Sequence, residues 1–125
     1  MANLSNIKIK ILDKEIASII IDESKTYNAL SFRNLGDLIK AFKKLDNDKN
    51  VKVIIIEGAG KGFSAGHNLK EVSGLKKKAK YQKLFNLCSK LMLQIVEGKK
   101  PVLAKVHGAA FAAGCQLVAS CDLAY

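Results

Sequence analysis

Residues 51–57, VKVIIIE, constrain the fold more than any other stretch of this chain. A run that is continuously apolar towards its end reads as a strand of a parallel sheet covered on both faces. Parallel strands need crossover connections, and the flanking sequence offers helices for them. Before the run, Ser31 is a good N-cap, and Phe32, Leu35, Leu38, Ile39, Phe42 and Leu45 follow at helical spacing. Lys40, Lys43 and Lys44 take the outer face, and the helix should fray in Asp46-Asn47-Asp48. After the run come a glycine-rich loop, GAGKGFSAGHN, and a basic stretch at Lys76, Lys77, Lys78 and Lys80. Tyr81, Leu84, Phe85, Cys88, Leu91, Met92, Ile95 and Val96 then mark a long amphipathic helix that Gly98 ends.

The rest of the chain completes an alternating order. Ile7, Ile9 and Ile11 alternate with Lys8 and Lys10, a strand with one wet face over residues 6–12. Asp13-Lys14 is a turn, and residues 15–21 form a second, more buried strand, so these two make a hairpin. Pro101 opens a strand, PVLAKVH, followed by the small-residue stretch GAAFAAG and a short buried helix over residues 115–120. Asp122 to Tyr125 reads as the start of another strand. The order β-β-α-β-loop-α-β-α-β implies an α/β domain built on βαβ units. All of residues 1–125 belong to one domain, and a strand at the last residue suggests that the sequence is the N-terminal part of a longer one.

Composition narrows the class. The net charge is +10, from 21 Lys and Arg against 11 Asp and Glu, and Arg33 is the single Arg. Such a surface attracts anions: nucleic acid, acidic membrane or a phosphorylated small molecule. A general preference for Lys explains it as well, and near-absence of Arg speaks against base-specific readout, where bidentate Arg is the usual tool. No aromatic–basic interleaving supports nucleic-acid binding. No stretch approaches the ~18 apolar residues of a membrane span. Cys88, Cys115 and Cys121 are odd in number, and MANLSNIKIKILDKE lacks the basic and apolar regions of a secretory signal. Free thiols in a reducing cytoplasm are the plain reading.

The loop poses a chemical question. Gly62-Phe63-Ser64-Ala65-Gly66 fits G-x-S-x-G, the nucleophile elbow of serine hydrolases. An elbow serine sits directly between strand and helix, with its acid and then its histidine further on. Here Ala59-Gly60-Lys61 intervenes, and Asp122 follows His107 rather than preceding it. A phosphate loop is absent, because no Gly-Lys pair precedes Ser or Thr, and Gly58-Ala-Gly60 lacks the third glycine of a dinucleotide fingerprint. His107, Cys115 and Cys121 lack metal-ligand spacing. What remains is a backbone device. The turn Ala65-Gly66-His67 and the stretch Ala112-Ala113-Gly114 at a helix start can each aim a peptide N–H at developing negative charge. Two such donors on one oxygen form an oxyanion hole. Taken alone, the small residues from Gly108 to Gly114 serve close helix–sheet packing equally well.

Three segments carry a resemblance. FSAGHNLKEV resembles the F-x-A-G-x-D-[IL]-K-E loop of the enoyl-CoA hydratase/isomerase (crotonase) superfamily. KPVLAKVHGAAFAAGCQLVASCDLAY resembles that family's K-P-[VT]-[IV]-A-x-[VI]-x-G-x-[AC]-x-G-G-[GA]-x-[ED]-[LI]-x-x-x-[CS]-D signature, and Asn28-Ala-Leu-Ser31 its N-A-L-[ST] turn. His67-Asn68 and the segment from Cys115 through Gln116 to Asp122 look most similar to its branch of enoyl-CoA hydratase domain-containing proteins.

The resemblance implies a crotonase-like (ClpP/crotonase) fold of repeated ββα units, cut before its C-terminal part, and an acyl-CoA thioester ligand. Coenzyme A is then part of the substrate, and no separate cofactor is implied. It implies that the N–H groups of His67 and Ala113 hold the thioester oxygen. Lys25 and Thr26, with Ala65, His67, Asn68 and Leu69, would line the adenine and pantetheine path, and Ala109, Ala113 and Gly114 would lie against the acyl group. A full-length relative would be a homotrimer or hexamer. The chain departs from the pattern at Gln116, where hydratases carry a Glu, and at Asn68, where Asp is usual. An amide is no general base near neutral pH, so Gln116 speaks against efficient hydration, while leaving isomerisation or thioester binding without turnover open. The family's second catalytic Glu has no counterpart in residues 1–125. A truncated, inactive relative or assembly partner is the competing expectation. His107 reads as a satisfied structural histidine, and His67 contributes chiefly through its backbone.

Overall fold

The computed structural model describes residues 5–125. Strands β1 (Ile7–Asp13), β2 (Ile16–Ile21), β3 (Val53–Gly58), β4 (Val102–Lys105) and β5 (Leu123–Ala124) form one sheet in sequence order. Strands β1 and β2 are an antiparallel hairpin, and every later pair is parallel. The helices are α1 (Phe32–Asp46), α2 (Leu69–Ser73), α3 (Lys78–Glu97) and α4 (Ala113–Ala119), with a 3-10 turn at Ser24–Thr26. α1 crosses from β2 to β3, α2 and α3 from β3 to β4, and α4 from β4 to β5.

The element order follows the sequence, with α2 and the 3-10 turn as additions. Ser31 caps α1 by accepting from Asn34 N at 3.1 Å. The apolar stripe Leu35, Leu38, Ile39, Phe42 and Leu45 is buried against the sheet and α3. Each fully buried Leu or Phe there contributes about 2–3 kcal/mol. Two lines hold the other end. Lys100 Nζ donates to the carbonyls of Leu45 and Asp48, and Lys99 N donates to Asp46 Oδ1 at 2.8 Å.

Four expectations need correction. The hairpin turn falls at Lys14-Glu15, one residue later, because Asp13 still pairs with Ile16. Burial fades along β1: Ile7 is buried, but Ile11 is 56% exposed, because β1 is an edge strand that runs past its cover. β3 alternates rather than being covered on both faces, with Ile54, Ile56 and Gly58 buried and Val53, Ile55 and Glu57 half-buried. Finally, α4 begins at Ala113 instead of residue 115 and buries only Ala113, Gly114 and Leu117, so Cys115 and Gln116 are exposed.

Candidate functional site

Past the C-terminal ends of β2 and β3 two loops are tied together by one side chain. Tyr27 and Asn28 both have left-handed backbones, φ 59° and 55°, which turns the chain back after the 3-10 turn. Asn is among the few residues that accept this conformation at low cost. Asn28 is 1% exposed. Its Nδ2 donates to the carbonyls of Ala59, Gly62 and Phe63 at 2.8, 3.0 and 3.1 Å. Its Oδ1 accepts from Glu23 N at 2.8 Å. Sequence reading placed Asn28 in a motif but not at this junction, because its partners lie more than thirty residues away.

Ser64 belongs to the same framework. It is fully buried, donates to Asn28 O at 2.8 Å and accepts from Gly66 N at 3.2 Å. It pairs as an isolated parallel bridge with Ala110 and starts no helix. A hydroxyl so committed is structural, and the elbow reading fails on context.

That bridge presses the two small-residue segments together. Phe111 N donates to Ser64 O at 2.9 Å, and Ala109 O accepts from Phe63 N and Ser64 N. A Cβ on Gly114 would strike Ser64 O, and one on Gly66 (φ +91°) would stand 3.1 Å from Ala113 N. Close approach explains both glycines. Ala112 precedes α4 at φ 50°, ψ −118°, a region that L side chains seldom occupy. The peptide N–H groups of His67 and Ala113 donate to no protein acceptor among the described residues. They therefore stand unpaired on two turns that touch.

Beside His67 opens a cleft of about 310 Å³. Lys25, Thr26, Ala65, His67, Asn68 and Leu69 line it, with Ala29 and Lys70. The structure thus brings together six of the residues singled out in the sequence. Ala109, Ala113, Gly114 and Gln116 are not among its lining residues. Ala109 and Gly114 instead serve the packing of the two segments, and Gln116 faces outward on α4. The lining carries Lys25 and Lys70 and no carboxylate, which favours an anionic occupant.

The side chains around the cleft have settled roles. Asn68 caps α2, its Oδ1 accepting from Lys70 N at 3.0 Å and Glu71 N at 3.2 Å. An amide oxygen caps as well as a carboxylate oxygen, so the departure from Asp leaves this job intact. Glu71, which the sequence reading passed over, accepts from Phe32 N at 3.0 Å and ties α2 to the start of α1. Its Asn-x-x-Glu spacing was the available signal. His67 Nδ1 lies 3.3 Å from Leu30 O, and its ring meets Phe85 edge-on at 5.5 Å. A carbonyl can only accept, so this contact is a hydrogen bond in which Nδ1 carries the proton. His107 Nε2 donates to Gly60 O at 2.7 Å, as a structural histidine does. Burial, and secondarily Asp122, pushes the Cys121 thiol up to about 12, and burial also raises Cys88. Among the described residues no cluster could hold a metal, and no helix is long and apolar enough to cross a membrane.

Comparison with known proteins addresses the whole arrangement. A family model described as enoyl-CoA hydratase/isomerase matches residues 12–125. A Xenopus laevis protein named enoyl-CoA hydratase domain-containing protein 3, mitochondrial, is 42% identical over 125 residues, covering 98% of this chain and 42% of that protein. The human protein of the same name is 42% identical over 109 residues, covering 87% of this chain and 36% of its own. Two solved structures share the fold: an enoyl-CoA hydratase from Mycobacterium smegmatis (TM-score 0.92, 39% identity, 97% of this chain and 47% of that one) and the human domain-containing protein 3 (TM-score 0.89, 39% identity, 95% and 47%). The chain spans less than half the length of these relatives. The expected cytoplasmic setting is overturned, because the frog and human relatives are named mitochondrial.

Proposed function

The chain belongs to the enoyl-CoA hydratase/isomerase family, and from that membership we propose that its cleft binds an acyl-CoA thioester. In this reading the thioester oxygen accepts from the N–H groups of His67 and Ala113. The observation that carries it is their pairing: two unsatisfied donors on touching turns, the His67 turn lining a cleft with Lys25 and Lys70 at its wall. As electrons move onto the thioester oxygen in an enolate, fixed donors stabilise the charge without reorganising, an effect of about 3–4 kcal/mol per donor. The lysines suit the phosphates of coenzyme A, and Leu69, exposed at the cleft, gives the ligand an apolar surface.

A second reading, binding without turnover, is favoured by Gln116. Its amide can orient a water or a substrate but cannot shuttle a proton. The reading as an acyl-CoA enzyme rests on the family and on this cleft; a place in fatty-acid metabolism and assembly as a homo-oligomer are carried only by the motif resemblance. A thermal melt of the 125-residue chain with acetoacetyl-CoA, against free CoA, tests the binding claim. A transition raised more by the thioester than by CoA supports it. Equal shifts, or none, refute it. Hydration and isomerisation assays on the same protein then separate turnover from binding.

A further inference from the structure

The two peptide donors of the proposed thioester site are held in different ways. Ala113 N shares its peptide plane with Ala112 O, and that oxygen accepts from Gln116 N at 3.0 Å. The first turn of α4 thus fixes this donor with backbone alone. His67 N shares its plane with Gly66 O, and this peptide lies in the loop before α2. A plane that follows a glycine turns easily, because Gly66 at φ +91° has no Cβ to restrict it. To keep its N–H aimed at a ligand, this donor needs a hold from outside its own loop.

Leu30 supplies that hold. It is fully buried, and its N–H donates to Gly66 O at 2.7 Å. The peptide is trans, so a bond made at Gly66 O aims the His67 N–H the opposite way. Hydrogen bonds in series polarise one another, so the same bond strengthens the donor at the other end of the plane. Leu30 is gripped a second time. Its carbonyl accepts from His67 Nδ1 at 3.3 Å, and the His67 ring is backed by Phe85 of α3, edge-on at 5.5 Å. Residues 30, 66 and 67 thus close a ring of two hydrogen bonds, one from backbone and one from the imidazole. The Ala113 donor needs no such side chain, because α4 holds its plane.

We infer that the His67 imidazole is a positioning residue for its own backbone donor: by clasping Leu30 it fixes the Gly66–His67 peptide with its N–H towards the thioester oxygen. This role, which rests on the acyl-CoA reading of the cleft, asks for an N–H at the Nδ1 position and for no proton transfer. Asparagine offers one, because its Nδ2, like Nδ1, is bonded to Cγ. Phenylalanine keeps a ring against Phe85 and has no donor. The two replacements therefore separate the hydrogen bond from the packing.

The test compares wild type, His67→Phe and His67→Asn, each as the 125-residue chain, in two measurements. Without ligand, amide hydrogen exchange reads the clasp. The Leu30 N–H should exchange about tenfold faster in His67→Phe and near the wild-type rate in His67→Asn, while the Ile56 N–H in the middle of the sheet keeps its rate in all three. With ligand, calorimetry gives the affinities for acetoacetyl-CoA and for free CoA. Wild type should prefer the thioester. His67→Phe should lose about tenfold of the thioester affinity with free CoA unchanged, and His67→Asn should recover most of the loss. A side chain that merely packs would weaken both ligands together or leave Asn as poor as Phe. Equal Leu30 exchange in the three proteins, a thioester preference that survives in His67→Phe, or no recovery in His67→Asn would overturn the positioning role. A wild type that binds the two ligands alike refutes the thioester reading, and the positioning role with it; the exchange rates, read without ligand, tell that outcome from a failed clasp.

Discussion

Replacing Asn28 by Ala should unfold much of what this chain builds. The substitution removes an amide whose two N–H groups serve three carbonyls and whose oxygen serves Glu23 N. Asn28 is 1% exposed, and its bonds to Gly62 O and Phe63 O are buried, whereas those to Ala59 O and Glu23 N are part-buried and open to some repair by water. Each buried polar group left unsatisfied costs about 1–3 kcal/mol, so the four lost bonds come to roughly 3–5 kcal/mol after partial repair by water. Ala at φ 55° adds about 1 kcal/mol, because Ala lacks Asn's tolerance of the left-handed region. A sum of about 4–6 kcal/mol rivals the whole stability of a small domain. The assay is urea unfolding of the wild type, Asn28→Ala, Asn28→Gly and Asn28→Asp. Gly relieves the backbone strain and should fall between wild type and Ala. Asp keeps the acceptor for Glu23 N but turns a charged oxygen towards three carbonyls, so it should be at least as harmful as Ala. A loss below about 1 kcal/mol in Asn28→Ala, or Asp milder than Ala, would refute this reasoning.

Three further outcomes are expected. Ala112→Gly should stabilise the chain by about 1 kcal/mol, read as a higher urea midpoint, because Gly occupies φ 50°, ψ −118° without a Cβ clash. Stability should fall as pH rises from about 9 to about 12: the unfolded thiol of Cys121 ionises near 9.0 while the folded one holds its proton to about 12. The unfolded state thus binds fewer protons in that window, and Cys121→Ala should flatten the slope of the unfolding free energy against pH. Ser64→Ala should cost about 2–3 kcal/mol in the same unfolding assay by orphaning Asn28 O and Gly66 N, and a fluorophosphonate probe should leave wild-type Ser64 unlabelled.

Much of the architecture was legible because local period and burial agree. The 3.6-residue stripes of α1 and α3 and the strand–helix alternation need no distant partner to be seen. Where burial is decided by what lies across the sheet, the sequence misleads. Ile11 has the same alternation as Ile7 yet lies exposed, and Phe85 and Val96 share the α3 stripe yet stand 47% and 65% exposed. α2 escaped because five residues carry no periodicity, although Asn68 and Glu71 held its capping signature. At the site, the cleft wall from Ala65 to Leu69 was readable from a motif in one loop. Gly114 has a packing role that the motif does not reveal, because a glycine needed for approach to Ser64 looks the same in sequence as one needed for approach to a ligand. Asn28 as a junction was illegible, since only the folded chain brings residues 59–63 to it.

The account turns on whether the His67 and Ala113 N–H groups hold a thioester oxygen. Isotope-edited infrared spectroscopy of acetoacetyl-CoA, ¹³C-labelled at the thioester carbonyl, reads that bond directly. The account predicts a carbonyl band moved to lower frequency on binding, as two hydrogen bonds polarise the C=O, with the band partly restored in Gly66→Ala, whose Cβ would crowd Ala113 N. A ligand that binds with its carbonyl band unmoved from solution would contradict it.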